Sequence, residues 1–176
     1  MKNLILIAAI GKNHELGFQG DMPWKRDLPS DLRFFKNQTA NQAMVMGRKT
    51  FESLPGLLPG RKHIVISHAS KETLLQEKAQ TWPKPLDPSQ VEVFNSLEAF
   101  FKAYESYQDP IYVIGGGALY QAFLPYAQSL YLTHIDANFL ADVYFPFFDE
   151  TKYTITPLDH VEENGYVYEH VRYDRK

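Results

Sequence analysis

Asp31 is the residue whose position most suggests chemistry. It stands in the stretch Met22-Pro23-Trp24-Lys25-Arg26-Asp27-Leu28-Pro29-Ser30-Asp31-Leu32-Arg33-Phe34-Phe35-Lys36. Pro29 suits the first turn of a helix, where its missing N–H is not needed, and from there the pattern reads helical to Thr39. At roughly 100° per residue, Leu28, Leu32, Phe34 and Phe35 share an apolar arc that leaves out Arg33, Lys36 and Asn37. Asp31 falls inside that arc. An ionised carboxylate among apolar side chains is costly unless something pairs with it, so the placement points to a ligand. An acid in a first helical turn also offsets the positive end of the helix dipole, and on this stretch alone that plainer reading is the commoner one. Its weakness is direction, because such acids usually face water.

Two strand ends read as anion sites. Gly47-Arg48-Lys49-Thr50 sets two cations and a hydroxyl where a strand turns into a helix, whose free N–H groups attract phosphate. Gly115-Gly116-Gly117 offers bare backbone that a phosphate can approach closely. The triple glycine lacks the last glycine of the dinucleotide fingerprint, and Gly47 does not open a Walker loop, so a tight turn without a ligand competes at each position. Together they favour an extended, doubly phosphorylated ligand lying outside the carboxyl ends of parallel strands. Ser67, His68 and Ser70 follow a third strand and, with Arg48 and Lys49, could cradle an extra phosphate. No acid stands there to hold a free ribose hydroxyl, so NADP is preferred over NAD. Arg61 follows a Pro-Gly turn, and its planar fork suits a carboxylate, although an ordinary surface arginine reads the same way.

Other chemistries find little support. The six histidines show no HxxxH or HxH spacing and the chain has no cysteine, so no metal site, thiolate nucleophile or disulfide framework is expected. No GxSxG elbow marks a serine nucleophile. A net charge of −3 gives no general drive toward nucleic acid or anionic membrane.

The elements that must position these residues follow from patterning. With 176 residues and 44% hydrophobic content, the chain reads as one domain, 1–176, able to bury a substantial core. Met1-Lys2-Asn3 with Leu4 to Ile10 resembles a short signal sequence. It lacks a clear cleavage site, and a strand covered on both faces explains it better, so the chain is expected to be soluble, cytoplasmic and monomeric. A long loop from Gly11 to Asp27, with Phe18, Met22 and Trp24 exposed, reads as a lid. Strands are expected at 43–47, 61–67, 91–94 and 111–114, with helices opening at Arg48, at Ser96 and after Gly117, the last running through Tyr126. Strand-like stretches at 130–135, 153–155 and 166–173 close the chain. This order implies an α/β fold: a mixed, mostly parallel central sheet with an antiparallel C-terminal edge hairpin and helices on both faces.

Nine blocks in register complete the reading. Ile7-Ala8-Ala9, Leu16-Gly17, Met22-Pro23-Trp24, Leu28-Pro29-Ser30-Asp31-Leu32, Met46-Gly47-Arg48-Lys49-Thr50-Phe51-Glu52-Ser53, Leu58-Pro59-Gly60-Arg61, Ile114-Gly115-Gly116-Gly117, Leu132-Thr133-His134-Ile135 and Asp142-Val143-Tyr144-Phe145-Pro146 occur in the order and approximate spacing of bacterial dihydrofolate reductase, which the chain resembles over essentially its whole length. The resemblance implies NADPH-dependent reduction of 7,8-dihydrofolate to tetrahydrofolate, and binding of antifolate inhibitors. It implies that Asp31, supported by Thr133, holds the pterin's 2-amino group and nitrogen 3, so that the substrate is the partner of the misplaced carboxylate. Met22 and Trp24 belong to the catalytic neighbourhood. It further implies that Ile7, Leu32, Phe35 and Leu54 line the folate cleft, that Arg61 grips a glutamate carboxylate, and that Ala9 and Ile114 offer backbone groups to nicotinamide and pterin. Gly47, Arg48, Lys49, Thr50, Ser67 and His68 take the adenosine half of NADPH. By the same resemblance Gly115, Gly116, Gly117, Ala118, Leu119 and Tyr120 should take the pyrophosphate and nicotinamide side, Leu16 and Gly17 of the closing loop should bind the cofactor, and Asp142 should hydrogen-bond that loop.

Three departures stand out. Two extra residues lie within Lys25-Arg26-Asp27, offering Asp27 as a second acid, which its place ahead of the helix argues against. Val143 stands where threonine is common, and Ala118 where arginine is. A riboflavin-pathway pyrimidine reductase of the same fold and a non-catalytic pterin- or nucleotide-binding module are the other functions considered.

Overall fold

The computed structural model describes residues 3–176; Met1 and Lys2, which open the stretch weighed as a signal sequence, lie outside the described residues. Among the described residues ten strands form: β1 (Leu4–Ile10), β2 (Glu15–Gly17), β3 (Ala43–Gly47), β4 (Lys62–Ile66), β5 (Val91–Phe94), β6 (Ile111–Val113), β7 (Ser129–Ile135), β8 (Val143–Tyr144), β9 (Tyr153–Glu163) and β10 (Tyr166–Arg175). Five helices accompany them: α1 (Pro29–Thr39), α2 (Arg48–Ser53), α3 (Lys71–Ala79), α4 (Leu97–Tyr104) and α5 (Gly117–Phe123). Eight strands make one sheet in the order β5-β4-β3-β6-β1-β7-β10-β9, parallel from β5 to β7 and antiparallel across the last two pairings. The architecture is the mixed α/β sheet with an antiparallel C-terminal edge that the patterning implies.

Strand alternation divides the core in two. On β3, Ala43 and Val45 enter one cluster with Phe100 and Phe123, while Met44 and Met46 enter another with Phe51 and Leu74. Successive side chains point to opposite faces of a pleated strand, so α4 and α5 cover one face and α2 and α3 the other. β1 sits between β6 and β7 and is buried along both faces, which is why its sequence is a continuous apolar run.

Local chemistry sets the ends. Ser96 Oγ accepts from Ala99 N at 3.1 Å and Ser70 Oγ from Thr73 N at 3.2 Å, each satisfying one of the free donors at a helix start. The helix expected to run through Tyr126 stops at Phe123 and tightens into a 3₁₀ turn over Leu124–Tyr126, because Pro125 has no N–H to continue it. β9 extends well past the expected Ile155. It is the sheet's edge and mostly exposed, so its pairing rests on backbone bonds to β10 and leaves no hydrophobic alternation to read. Asn164 and Gly165, both at positive φ (51° and 81°), make the two-residue turn that joins β9 to β10.

The stretch from Gly11 to Asp27 is more structured than a bare loop. β2 pairs with β8 in a small second sheet. Trp24, expected to be exposed, is only 2% accessible and packs edge-on against Phe139 with ring centroids 5.3 Å apart. The extra residues beside it are absorbed in successive turns, Lys25 N to Met22 O and Asp27 N to Trp24 O, with Lys25 at φ 52°. Among the described residues no helix is long and apolar enough to cross a membrane.

Candidate active site

The strand register draws one row across the sheet. Ala9 of β1 pairs with Thr133 of β7, Thr133 with His170 of β10, and His170 with Asp159 of β9. Side chains of directly paired residues share a face, and α1 lowers Asp31 onto this one. Asp31 Oδ1 accepts a hydrogen bond from Thr133 Oγ1 at 2.6 Å and faces His170 Nε2 at 3.0 Å. The imidazole's other nitrogen, Nδ1, lies 2.6 Å from Asp159 Oδ1. Phe34, also on α1, stacks on the imidazole at 3.8 Å between centroids and 15° between planes. The start of α1 is fixed to the β9–β10 hairpin: Ser30 N and Oγ donate to Glu163 at 2.9 and 2.8 Å, and Asn164 Nδ2 to the Asp27 carbonyl at 2.7 Å. Asp27 itself is exposed, as its position ahead of the helix implies.

His170 corrects the expectation that only a substrate, with help from Thr133, answers the Asp31 charge. The Asp31 side chain is 14% exposed and that of His170 2%. Burial works against a charge on His170, but hydrogen bonds to Asp31 and Asp159 outweigh it and hold the imidazole pKa above its usual value. Asp31 Oδ2 has no hydrogen-bond partner among the described residues and is not sealed from solvent. One oxygen is therefore fixed by the protein and the other is open.

The remaining expected substrate residues divide. Phe35, Leu54 and Ile114 pack, half-buried, on the cluster of Met44, Met46, Phe51 and Val65. Ile7 is buried, and Leu32, one residue after Asp31, stays exposed. Arg61 reaches back across the end of α1: Nε donates to Thr39 Oγ1 at 3.0 Å, one terminal nitrogen to the Pro59 carbonyl at 2.6 Å and the other to the Lys36 carbonyl at 2.7 Å. A guanidinium has five N–H donors in a fixed fork, so two remain for a ligand on an arm that cannot swing.

At the far end of the sheet, Gly47 N donates to the Gly115 carbonyl at 2.9 Å, which sets the ends of β3 and β6 side by side. Gly115 has φ +130°, and a Cβ there would come 3.3 Å from Thr50 Oγ1; one on Gly117 would come 2.7 Å from Val143 Cγ1. A Cβ on Gly47 or Gly116 would meet nothing closer than 3.7 Å, so their backbone is left bare and approachable. Lys49 and His68 are exposed at the same edge, and Ser67 Oγ caps Ala69 N at 3.0 Å. Arg48 is held by Glu52 at 2.8 Å, its i,i+4 neighbour on α2, and by Glu77 of α3 at 3.2 Å; spacing signals only the first of these. A bare glycine floor flanked by cations fits a doubly phosphorylated dinucleotide. Tyr120 Oη donates to the Ile7 carbonyl at 2.7 Å, tying α5 to β1, while Ala118 is exposed and Leu119 half-buried.

Between the two ends, Met22, Trp24 and Ala9 pack in one cluster with Leu28, Ile135 and Tyr168. Asp142 N donates to the Gly17 carbonyl at 2.9 Å, and Asp142 Oδ2 accepts from Gln19 N at 3.0 Å. The expected bond between Asp142 and the loop is present. Val143 packs against both Gly17 and Gly117, so the apolar residue found in place of threonine fills the seam between loop and α5. A surface depression of about 470 Å³, bordered by Lys12, His134, Asp136, His160 and Glu169, shares only Ile135 and Tyr168 with the Trp24 cluster and includes neither Asp31 nor the glycine floor. Among the described residues no group of three His, Cys, Asp or Glu is placed to hold a metal.

Sheet, acid and glycine floor together define an α/β protein with two candidate ligand-binding groups set toward the carboxyl ends of its parallel strands. A family model described as dihydrofolate reductase matches residues 3–175. The dihydrofolate reductase of Bacillus subtilis is 34% identical over 173 residues, covering 97% of this chain and 93% of that protein. That of Buchnera aphidicola subsp. Acyrthosiphon pisum is 40% identical over 145 residues, covering 82% and 79%. The structure of Enterococcus faecalis dihydrofolate reductase complexed with NADP(H) and RAB-propyl superposes with a TM-score of 0.77 at 28% identity, over 98% of this chain and 96% of that one. The chain belongs to the dihydrofolate reductase family.

Proposed function

We propose that the protein reduces 7,8-dihydrofolate to 5,6,7,8-tetrahydrofolate, with Asp31 as the residue that grips and activates the pterin. The observation that carries the reading is the half-engaged carboxylate: Oδ1 bonded by Thr133 and His170, Oδ2 unpartnered among the described residues and open to solvent. Oδ2 and the lone pairs left on Thr133 Oγ1 accept two neighbouring N–H groups of a flat heterocycle. Such paired, charge-assisted bonds fix both the plane and the edge of the ring. The Asp31 charge also raises the ring's affinity for a proton at nitrogen 5. The same acceptors suit the diaminopyrimidine edge of an antifolate. Ile7, Leu32, Phe35, Leu54 and Ile114 supply apolar contact to the ring and its benzoyl extension, and the two free donors of Arg61 take a terminal carboxylate.

NADPH fits the glycine floor, and when bound it supplies the hydride that reduces the pterin. Gly47 with Thr50, and Gly115 to Leu119, line its phosphates; Lys49, Ser67 and His68 face the extra phosphate, with Arg48 joining them at the expense of one of its two glutamates. The Ala9 backbone, Leu16, Gly17, Met22 and Trp24 close around the reacting rings and exclude water, and Tyr120 holds β1 in place behind them. On this reading residues 1–176 act as one domain. Catalysis is then positioning plus acid assistance.

Asp31→Asn tests the assignment, because it keeps the shape and removes the charge. Turnover at neutral pH, followed as dihydrofolate-dependent loss of NADPH absorbance, is expected to fall roughly 10²- to 10⁴-fold. Turnover within a few-fold of the parent enzyme would remove Asp31 from the chemistry.

A further inference from the structure

His170 has both ring nitrogens committed to carboxylates. Nε2 stands 3.0 Å from Asp31 and Nδ1 2.6 Å from Asp159, in a ring that is 2% exposed and stacked on Phe34. A neutral imidazole has one N–H and one lone pair, and the lone pair would then face the lone pairs of an oxygen. Only the imidazolium donates to both. We propose that His170, as the imidazolium, is the positioning residue of the catalytic carboxylate: it ties Asp31 Oδ1 to Asp159, so that Oδ2 alone is presented to the ligand.

The inference rests on the reading of Asp31 as the pterin-binding acid. Its geometry is a chain from the solvent-facing edge strand to the cleft, since the Asp159 side chain is 50% exposed. The titratable and charged groups on the elements around the imidazole are Asp31 and Arg33 of α1, Tyr131 of β7 with Tyr112 of β6 behind it, Asp159 and Glu163 of β9, and Tyr168 and Arg172 of its own strand. Most are otherwise occupied: Glu163 with Ser30 and Tyr168, Arg33 with Ser30, and Arg172 with Asp174 and the face of Tyr131. Asp31 and Asp159 are the two that bond to the imidazole, and both retain its proton above the ordinary histidine range, against the opposing effect of burial. When His170 loses that proton one of the two bonds must break. The substrate KM therefore rises with pH through the histidine's titration, while kcat, set once the ring is seated, changes less.

Two measurements test the proposal, and neither depends on the other. Imidazole 15N chemical shifts of the ligand-free protein report protonation at each ring nitrogen. His170 is expected to carry protons on both at pH 7 and to titrate above 6.5, and Asp159→Asn is expected to move that titration down. A neutral single tautomer at pH 7, or a titration unmoved in Asp159→Asn, overturns the clamp even if the enzyme proves inactive toward dihydrofolate. Steady-state kinetics then test its use. His170→Phe keeps the stack on Phe34 and is expected to raise the dihydrofolate KM roughly 10-fold at pH 6.5, a loss typical of one charge-assisted hydrogen bond, with a smaller change in kcat. His170→Gln, which restores a donor toward Asp31, is expected to recover part of the KM and to lose its rise with pH. Parent-like KM and pH dependence in both variants would overturn the positioning role while leaving the reductase reading intact. A parent protein that binds NADPH but does not oxidise it with dihydrofolate would instead defeat the reductase reading and leave the 15N result to judge the clamp.

Discussion

Arg61, proposed to take a terminal carboxylate, is held in place within the free protein. Thr39, Pro59 and Lys36 take three of its donors, so the guanidinium is already aimed and little rotamer freedom is left to lose on binding. Lysine has no fork to hold in this way. Arg61→Lys is expected to raise the dihydrofolate KM by roughly 10-fold or more, since a paired, charged contact contributes about 1.5–3 kcal/mol, and to leave the NADPH KM unchanged. An unaltered dihydrofolate KM would take Arg61 out of the site. At this scale the sequence was informative where a residue type conflicted with its pattern, as Asp31 did within an apolar arc. It was silent about His170, which lies 139 positions from Asp31 on a strand whose alternation already accounts for it. A histidine on a buried face carries no mark of what stands opposite, and only the register of β7, β10 and β9 reveals it.

The turn that delivers Arg61 depends on the strand it enters. His63, on β4 and fully buried, accepts from Leu58 N through Nε2 at 3.0 Å and donates through Nδ1 to the Arg61 carbonyl at 3.1 Å. Gln90 Nε2 bonds the carbonyls at both ends of the same turn. Burial pushes the His63 pKa down from 6.5 to about 4, and the nearby Arg61 charge adds to the push; a proton on Nε2 would also face the Leu58 N–H. The unfolded chain takes up that proton first as pH falls. His63 therefore contributes stability that is full above pH 6.5 and is lost between there and about 4, a difference of about 3 kcal/mol for a shift of that size. Unfolding free energies of the parent protein and of His63→Asn, measured across this range, are expected to converge as the pH drops. A constant gap would show that His63 is not buried as the neutral form. Element types were legible for the parallel strands and for α4, where apolar runs and Ser96 mark the ends; Ser70, read as part of a phosphate cradle, instead caps α3. The exposed edge strand β9 was legible only in its first three residues, since backbone pairing leaves no trace in side-chain pattern.

Across the whole molecule, the glycine floor and the acid row occupy different strands of one sheet, and a small clasp spans them. β2 and β8 have three and two residues, too few to show any period, so the sequence suggested a lid without its fastening. The burial of Trp24 was hidden for the same reason: its partners Phe139, Ile135 and Tyr168 come from the far end of the chain. The clasp is pinned by Asp142, whose carboxylate takes Gln19 N while its own N–H takes the Gly17 carbonyl. Asp142→Ala removes the first bond and keeps the second. It is expected to raise the NADPH KM roughly 2- to 10-fold, the range of one modest hydrogen bond, and to affect dihydrofolate less. Unchanged NADPH kinetics would mean that the clasp holds without it.

The position of β10 in the sheet has a consequence for how the protein matures. Synthesis delivers β1, α1, the glycine floor and β7 well before β10, and early segments can begin to fold as they emerge. β10 must then pair with β7, carrying β9 on its other edge, and bring His170 beneath an Asp31 that until then has only Thr133 for company. A nascent chain stalled ahead of β10 would hold its glycine floor nearly complete and Asp31 unanchored, so on the proposed reading competence for chemistry waits for β10 to dock.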